Sequence, residues 1–296
     1  MSQPLSDRRP AADPAARISA ASATARTRVV APEPAARRPG DRGPLRALAT
    51  FAAVFAVGIA AWWLLVWITA PPAFLLPGPD RVALALIARR ADLVEHGLAT
   101  LVEILIGFGL GSALGIATAV AMSLLPWTAR LMLPAIVVVQ ALPVFAIAPV
   151  LVLWFGFGLA SKVVMASLVI FFPVASSLNE GLARTDPGLI DLARLHRATR
   201  LRTFLLIRWP AAMPDLAAGL KMAASVAPIG AIIGEWVGAS RGLGLLMMHA
   251  NARLQTDVMF AALVVLVVLA LALRAAVDLL TRGLAPWAPV SGITRL

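Results

Sequence analysis

The sequence predicts an all-α integral membrane protein with six transmembrane helices, and three observations carry that expectation. The composition is 60% hydrophobic and only 14% charged, with a mean hydropathy of +0.87, values that belong to bilayer-spanning chains rather than soluble domains. Apolar runs of about twenty residues recur along the chain, separated by prolines and short polar stretches. The basic residues fall unevenly between alternate connections, as the positive-inside rule requires.

Charge and cysteine content exclude other classes. A net charge of +11 would suggest nucleic acid in a soluble protein. Here the arginines sit at span ends and in tails, so membrane lipid is the expected partner and nucleic acid is not. The chain has no cysteine, which rules out disulfides, iron–sulfur clusters and thiolate metal sites.

Taken in order, residues 1–44 are rich in Ala, Pro, Arg and Ser without an apolar period, and read as a disordered basic tail. Residues 45–285 form the six-span membrane domain, and 286–296 a short tail. Ala47–Ala70 is the first span, with Trp62, Trp63 and Trp67 as interface anchors. After a proline-rich break, Asp80–Glu95 reads as an amphipathic helix lying on the membrane face. His96–Leu125 is the second span. Its Gly107, Gly111 and Gly115 fall every fourth residue, giving one flat face for close helix approach. Glu103, near the end of that span, is an intramembrane acid expected to pair or snorkel.

Leu131–Phe155 is the third span, interrupted by Pro143 and Pro149, with Gln140 one turn before the first. The stretch from Leu153 to Lys162 has glycines but no Walker spacing, and reads as a short outer turn, with Lys162 counted on the outer side. Val163–Leu178 is the fourth span and Leu216–Val237 the fifth. The fifth repeats the glycine spacing at Gly230, Gly234 and Gly238 and is bracketed by Lys221 and Glu235, so it should be sheltered inside the bundle. Ser240–Asp257 reads as an outer loop with a partly inserted helix. Val258–Asp278 is the sixth span.

The one long polar interruption is Gly181–Asp215, with six arginines (184, 194, 197, 200, 202 and 208). Asp186 is an N-cap candidate with Pro187 at the first helical position, and Thr199 can cap a second short helix that Pro210 is expected to stop. A helix–turn–helix with apolar stripes, flanked by spans, must lay those stripes on its own spans, on lipid or in a partner's groove.

The spacing in this stretch resembles the coupling loop of the permease subunits of bacterial ABC importers, whose pattern is Glu-Ala-Ala, three residues, Gly, nine residues, Ile, one residue, Leu-Pro. Asp191, Leu192 and Ala193 fall on the first triplet, Arg197 on the glycine, Ile207 on the isoleucine and Trp209-Pro210 on the final pair. The departures, Asp for Glu, Leu for Ala, Arg for Gly and Trp for Leu, fall at places that the sulfonate/nitrate/taurine-type branch often relaxes, and the chain resembles that branch from about residue 97 to 282. That resemblance implies the fold of a type I importer permease and coupling through Asp191, Leu192, Ala193, Arg197, Ile207 and Pro210. It also implies a bacterial inner-membrane location. The expected partners are cytoplasmic ATPase subunits, an extracytoplasmic solute-binding protein and a second copy of the permease. Six spans and the arginine imbalance put both termini and the loop in the cytoplasm.

The chemistry of catalysis is missing from the pattern. His96, His196 and His249 lie far apart without metal-ligand spacing, and no nucleotide loop or nucleophile triad is framed by the right elements. No enzyme activity, metal or cofactor is expected in this chain, and ATP hydrolysis would belong to another subunit. Gln140, Glu235, Trp236, Ser240, Asn251 and Gln255 are the polar or aromatic candidates for a translocation path. The segment Ala227–Phe260 looks most like permeases for pyrimidine precursors of thiamine, with aliphatic-sulfonate, taurine and nitrate permeases close behind. An ATP-independent secondary carrier would want two related halves, and the paired glycine repeats are the only echo of that. A membrane scaffold is the non-transport alternative.

Overall fold

A computed structural model describes residues 44–287. Residues 1–43 and 288–296, most of the tails expected at 1–44 and 286–296, lie outside the described residues. From Val54 onward the chain packs as one unit. The described residues form helices α1 (Pro44–Thr69), α2 (Pro79–Ala88), α3 (Arg90–Leu124), α4 (Pro126–Ala141), α5 (Val144–Phe155), α6 (Leu159–Ala183), α7 (Pro187–Leu195), α8 (Arg200–Thr203), α9 (Trp209–Gly238), α10 (Leu243–Ala252) and α11 (Thr256–Thr281). A π-helical turn at Phe204–Arg208 joins α8 to α9.

Five helical stretches are long and apolar enough to cross a bilayer: Ala52–Thr69, Arg90–Leu124, Leu159–Ala183, Arg200–Gly238 and Thr256–Thr281. The expected third span is not one helix. It is divided into α4 and α5 at Leu142-Pro143, where both residues are extended. Proline disfavours the α conformation in the residue before it, so the break falls at that pair. Neither 16-residue α4 nor 12-residue α5 reaches the roughly 20 residues that a span needs alone. The expected amphipathic helix is likewise shorter than the sequence suggested. It ends at Arg89, and Arg90–Glu95 instead opens the 35-residue α3.

Pro210 does not stop a helix. Proline inside an α-helix clashes with the carbonyl four residues back, but the preceding turn is widened, with the Trp209 amide donating to the Phe204 carbonyl five residues earlier. Pro210 thereby falls in the first turn of α9, where a missing N–H is harmless.

The core is built on α6. Gly107, Gly111 and Gly115 of α3 lie against it: a Cβ on Gly107 would come 2.6 Å from the Ala166 Cβ, and one on Gly111 2.7 Å from the Ser167 carbonyl. From the other side, Gly230 and Gly234 of α9 meet Ala166 and Lys162, and Gly238 meets Val152 of α5. Ala166 is thus pinched between glycines of two helices. Lipid supplies no hydrophobic drive between spans, so such close backbone approach is how dispersion holds them together. The cluster around Ile104, Ile170, Val174, Leu178, Leu216 and Ala227 continues this seam along the bundle. At α1, Trp62 stacks on Phe260 of α11 with ring centroids 5.7 Å apart.

Candidate functional site

Two constructions stand at opposite ends of α9. At its N-terminal end is the polar hairpin. The Asp186 side chain accepts from the Gly188 amide at 2.8 Å and caps α7, and Thr199 Oγ1 accepts from the Arg202 amide to cap α8. Between them the chain makes a Schellman turn: the Ala198 amide donates to the Ala193 carbonyl and the Arg197 amide to the Arg194 carbonyl, both at 2.9 Å. That motif puts its central residue in the left-handed region, and Arg197 sits there at φ +53°. The position at which the family pattern has glycine is therefore a left-handed helix terminus, here occupied by arginine at a conformational cost of about 1–2 kcal/mol.

The base of the hairpin is tied to α6. Arg208 donates to the Leu182 carbonyl from Nε at 3.3 Å and from Nη2 at 3.0 Å, and Arg184 lies 3.8 Å from Asp215. Gly181 leaves no room for a Cβ beside Asp215. Asp191 pairs only within its own helix, with Arg194 at 2.9 Å. Ala193 is buried, whereas Leu189, Leu192, Leu195, Leu201, Leu205 and Leu206 are exposed. Ile207 is half-buried. An apolar ridge on a firmly rooted polar hairpin is left uncovered by the protomer.

At the C-terminal end of α9 is a buried polar junction. Glu235, 0% exposed, accepts from Thr100 Oγ1 at 2.6 Å and from the Gly244 amide at 2.5 Å. Thr100 in turn accepts from the Leu243 amide at 2.8 Å, and His96 Nδ1 accepts from the Gly242 amide at 2.9 Å. The first amides of α10, which have no partner within their own helix, are thus satisfied by α3 and α9. Gly242 has φ +137°, and any Cβ there would overlap the Glu235 carboxyl. Beside it, Lys162 of α6 makes an ion pair with Glu103 of α3 at 2.5 Å, both almost wholly enclosed.

What the sequence did not show is the burial of Lys162: it belongs to the first turn of α6 rather than to a turn, and is 5% exposed. The usable signal was its counterpart: a lone acid in the second span, at Glu103, calls for a cation at similar depth.

The sequence candidates for a path differ in burial and surroundings. Glu235 and Trp236 are adjacent on α9 and point apart, Glu235 into the bundle and Trp236 outward at 45% exposure. Gln140 is exposed at the end of α4, Asn251 is exposed near the end of α10, and Gln255 is half-buried before α11, beside Arg81 and Arg89 of α2. Ser240 is exposed in the turn after α9. A different grouping emerges along α9. Ala218, Met222, Ser225, Ile229 and Trp236 recur every three to seven residues on one uncovered stripe of an otherwise buried helix.

A bundle of close-packed apolar helices, with a helical hairpin rooted at one end, is the architecture of a multi-pass transport permease. Residues 111–288 match the family described as binding-protein-dependent transport system inner membrane component. The chain belongs to that family, the inner-membrane permeases of ABC importers. It is 45% identical over 225 residues to a probable ABC transporter permease protein of Haemophilus influenzae, covering 76% of this chain and 92% of that one. It is 34% identical over 219 residues to the formylaminopyrimidine transport permease protein ThiX of Halalkalibacterium halodurans, covering 72% and 86%. Permeases named for riboflavin, taurine and aliphatic sulfonates also match, at 33%, 30% and 28% identity. Among solved structures, an inward-facing MetNI methionine ABC transporter chain superposes with a TM-score of 0.59 at 20% identity, over 67% of this chain and 98% of that one. That likeness establishes a type I importer permease fold.

Proposed function

We propose that the protein forms half of an ATP-driven import path for a small heteroaromatic solute, working as a homodimer with cytoplasmic ATPase subunits and an extracytoplasmic binding protein. The observation that carries this is the uncovered stripe of α9, from Ala218 to Trp236. An internal helix keeps such a face only for something outside its own protomer, and a second copy across a two-fold axis would enclose it as a channel wall. The stripe bears no charged residue and ends on Trp236, which suits a neutral aromatic ligand. Together with the likeness to ThiX, that supports a pyrimidine precursor of thiamine as cargo. Gln140, Asn251 and Gln255 remain candidates for the path or its rim, whereas Glu235 is enclosed beneath α10.

In this reading Asp191, Leu192, Ala193, Arg197, Ile207 and Pro210 belong to the coupling element. The rooted hairpin lets a push on the exposed leucines reach α6 and α9 together, because Arg208 and Asp215 tie it to both. Its side of the membrane, with both termini, is the cytoplasm.

The chain's lack of cysteine makes the dimer test clean. Met222→Cys and Ile229→Cys should cross-link copy to copy in membranes, and Met165→Cys, buried beneath α9, should not. Asp191→Arg should leave membrane insertion intact and abolish co-purification with the ATPase. Retained association would sink the coupling assignment. Uptake of a labelled aminopyrimidine, competed by its analogues and not by taurine, tests the cargo. Competition by taurine or alkanesulfonates would favour the sulfonate-type alternative.

A further inference from the structure

The buried junction beneath α10 has an unbalanced charge count. Glu103, Glu235 and Lys162 are all enclosed, at 1%, 0% and 5% exposure. Lys162 supplies one positive charge, and it lies on Glu103 Oε1. His96 supplies none, because its Nδ1 accepts the Gly242 amide and so carries no proton in this arrangement. Arg241, on the turn above, is exposed and paired with Glu95, outside the enclosed group. Two carboxylates against one ammonium would leave a net negative charge away from water, a costly state unless it is neutralised.

The hydrogen bonds show where the deficit lies. Both oxygens of Glu235 are engaged, one with Thr100 and one with the Gly244 amide. Glu103 Oε2 is buried and has no donor. Thr100, three residues before Glu103 on α3, donates to Glu235, and Lys162, which pairs with Glu103, lies against Gly234, the neighbour of Glu235, so the two carboxyls belong to one enclosed cluster. Two ionised carboxylates in that relation would repel, whereas one proton between them supplies the missing donor and cancels the surplus charge in a single stroke.

We infer that Glu103 and Glu235 hold one shared proton between them, making the junction of α3, α6 and α9 beneath α10 a proton-binding site of this permease. The proton is linked to the seating of α10. While Gly242–Gly244 covers Glu235, the site is sealed from water. When that segment lifts, Glu235 loses the Gly244 donor and the proton meets solvent.

The test is infrared spectroscopy of the full-length protein in lipid nanodiscs at neutral pH, with glutamate carboxyls carbon-13 labelled. The expected result is a protonated-carboxyl band that shifts with the label and exchanges slowly in deuterated water. It should vanish in both Glu103→Gln and Glu235→Gln, each of which leaves one carboxylate opposite Lys162, and persist in Glu180→Gln on the exposed end of α6. Absence of a label-sensitive band in the wild type would overturn the inference, as would a band surviving both substitutions. Should either glutamine variant fail to fold, the labelled wild-type spectrum decides alone.

Discussion

The pinch on Ala166 yields a sharp prediction. In Gly107→Ala the new Cβ would stand 2.6 Å from the Ala166 Cβ, while the next nearest atoms are at an ordinary 3.6 Å. The overlap is therefore with one methyl group. Relieving it means moving α3 and α6 apart by about 1 Å, and overpacking of this kind costs about 1–3 kcal/mol. Ala166→Gly removes that methyl, so the double variant Gly107→Ala/Ala166→Gly should recover most of the loss. Gly230→Ala should behave differently. Its Cβ would meet the Ala166 Cα at 2.9 Å and Val169 at 3.2 Å, backbone and a stiff β-branched side chain, and Ala166→Gly leaves both in place. Equilibrium unfolding in mixed micelles would supply the two double-mutant cycles. A rescue of at least 1 kcal/mol is expected in the first cycle and near-additivity in the second. Wild-type stability of Gly107→Ala, or equal rescue of both variants, would refute the close-approach account of the core.

Other outcomes follow from the two ends of α9. Arg197→Gly should relieve the left-handed strain, worth roughly 1 kcal/mol; hydrogen exchange at the Ala198 amide should slow several-fold, and unchanged or faster exchange would contradict the Schellman assignment. Thr100→Val strands the Leu243 amide, a loss of about 1–3 kcal/mol, and the first amides of α10 should exchange at least about tenfold faster while those of α3 stay protected. Gly242→Ala cannot keep φ +137° beside Glu235 and should loosen the same turn more severely; a variant with native exchange at Gly244 would show that α10 is seated by other means. Arg208→Met should free the Leu182 carbonyl and raise proteolytic nicking of the hairpin without disturbing membrane insertion.

Much of this was legible in the chain. Periodicity and hydropathy marked the spans, because a bilayer requires each helix to announce itself as an apolar run. The caps at Asp186 and Thr199 and the glycine faces on α3 and α9 are local signals, and local signals are written in adjacent residues. The relation of the hairpin to a known spacing also needed no coordinates.

Tertiary structure decided what depends on residues distant in sequence. Whether Pro210 ends a helix turned on a single widened turn before it. Whether Lys162 is a surface charge turned on Glu103, 59 residues away, and whether Glu235 faces a path or a seal turned on Thr100 and the amides after Gly242. Hydropathy assigns a residue to a depth, but a buried polar group is set by the partners that satisfy it. Those partners come together only when the helices have packed.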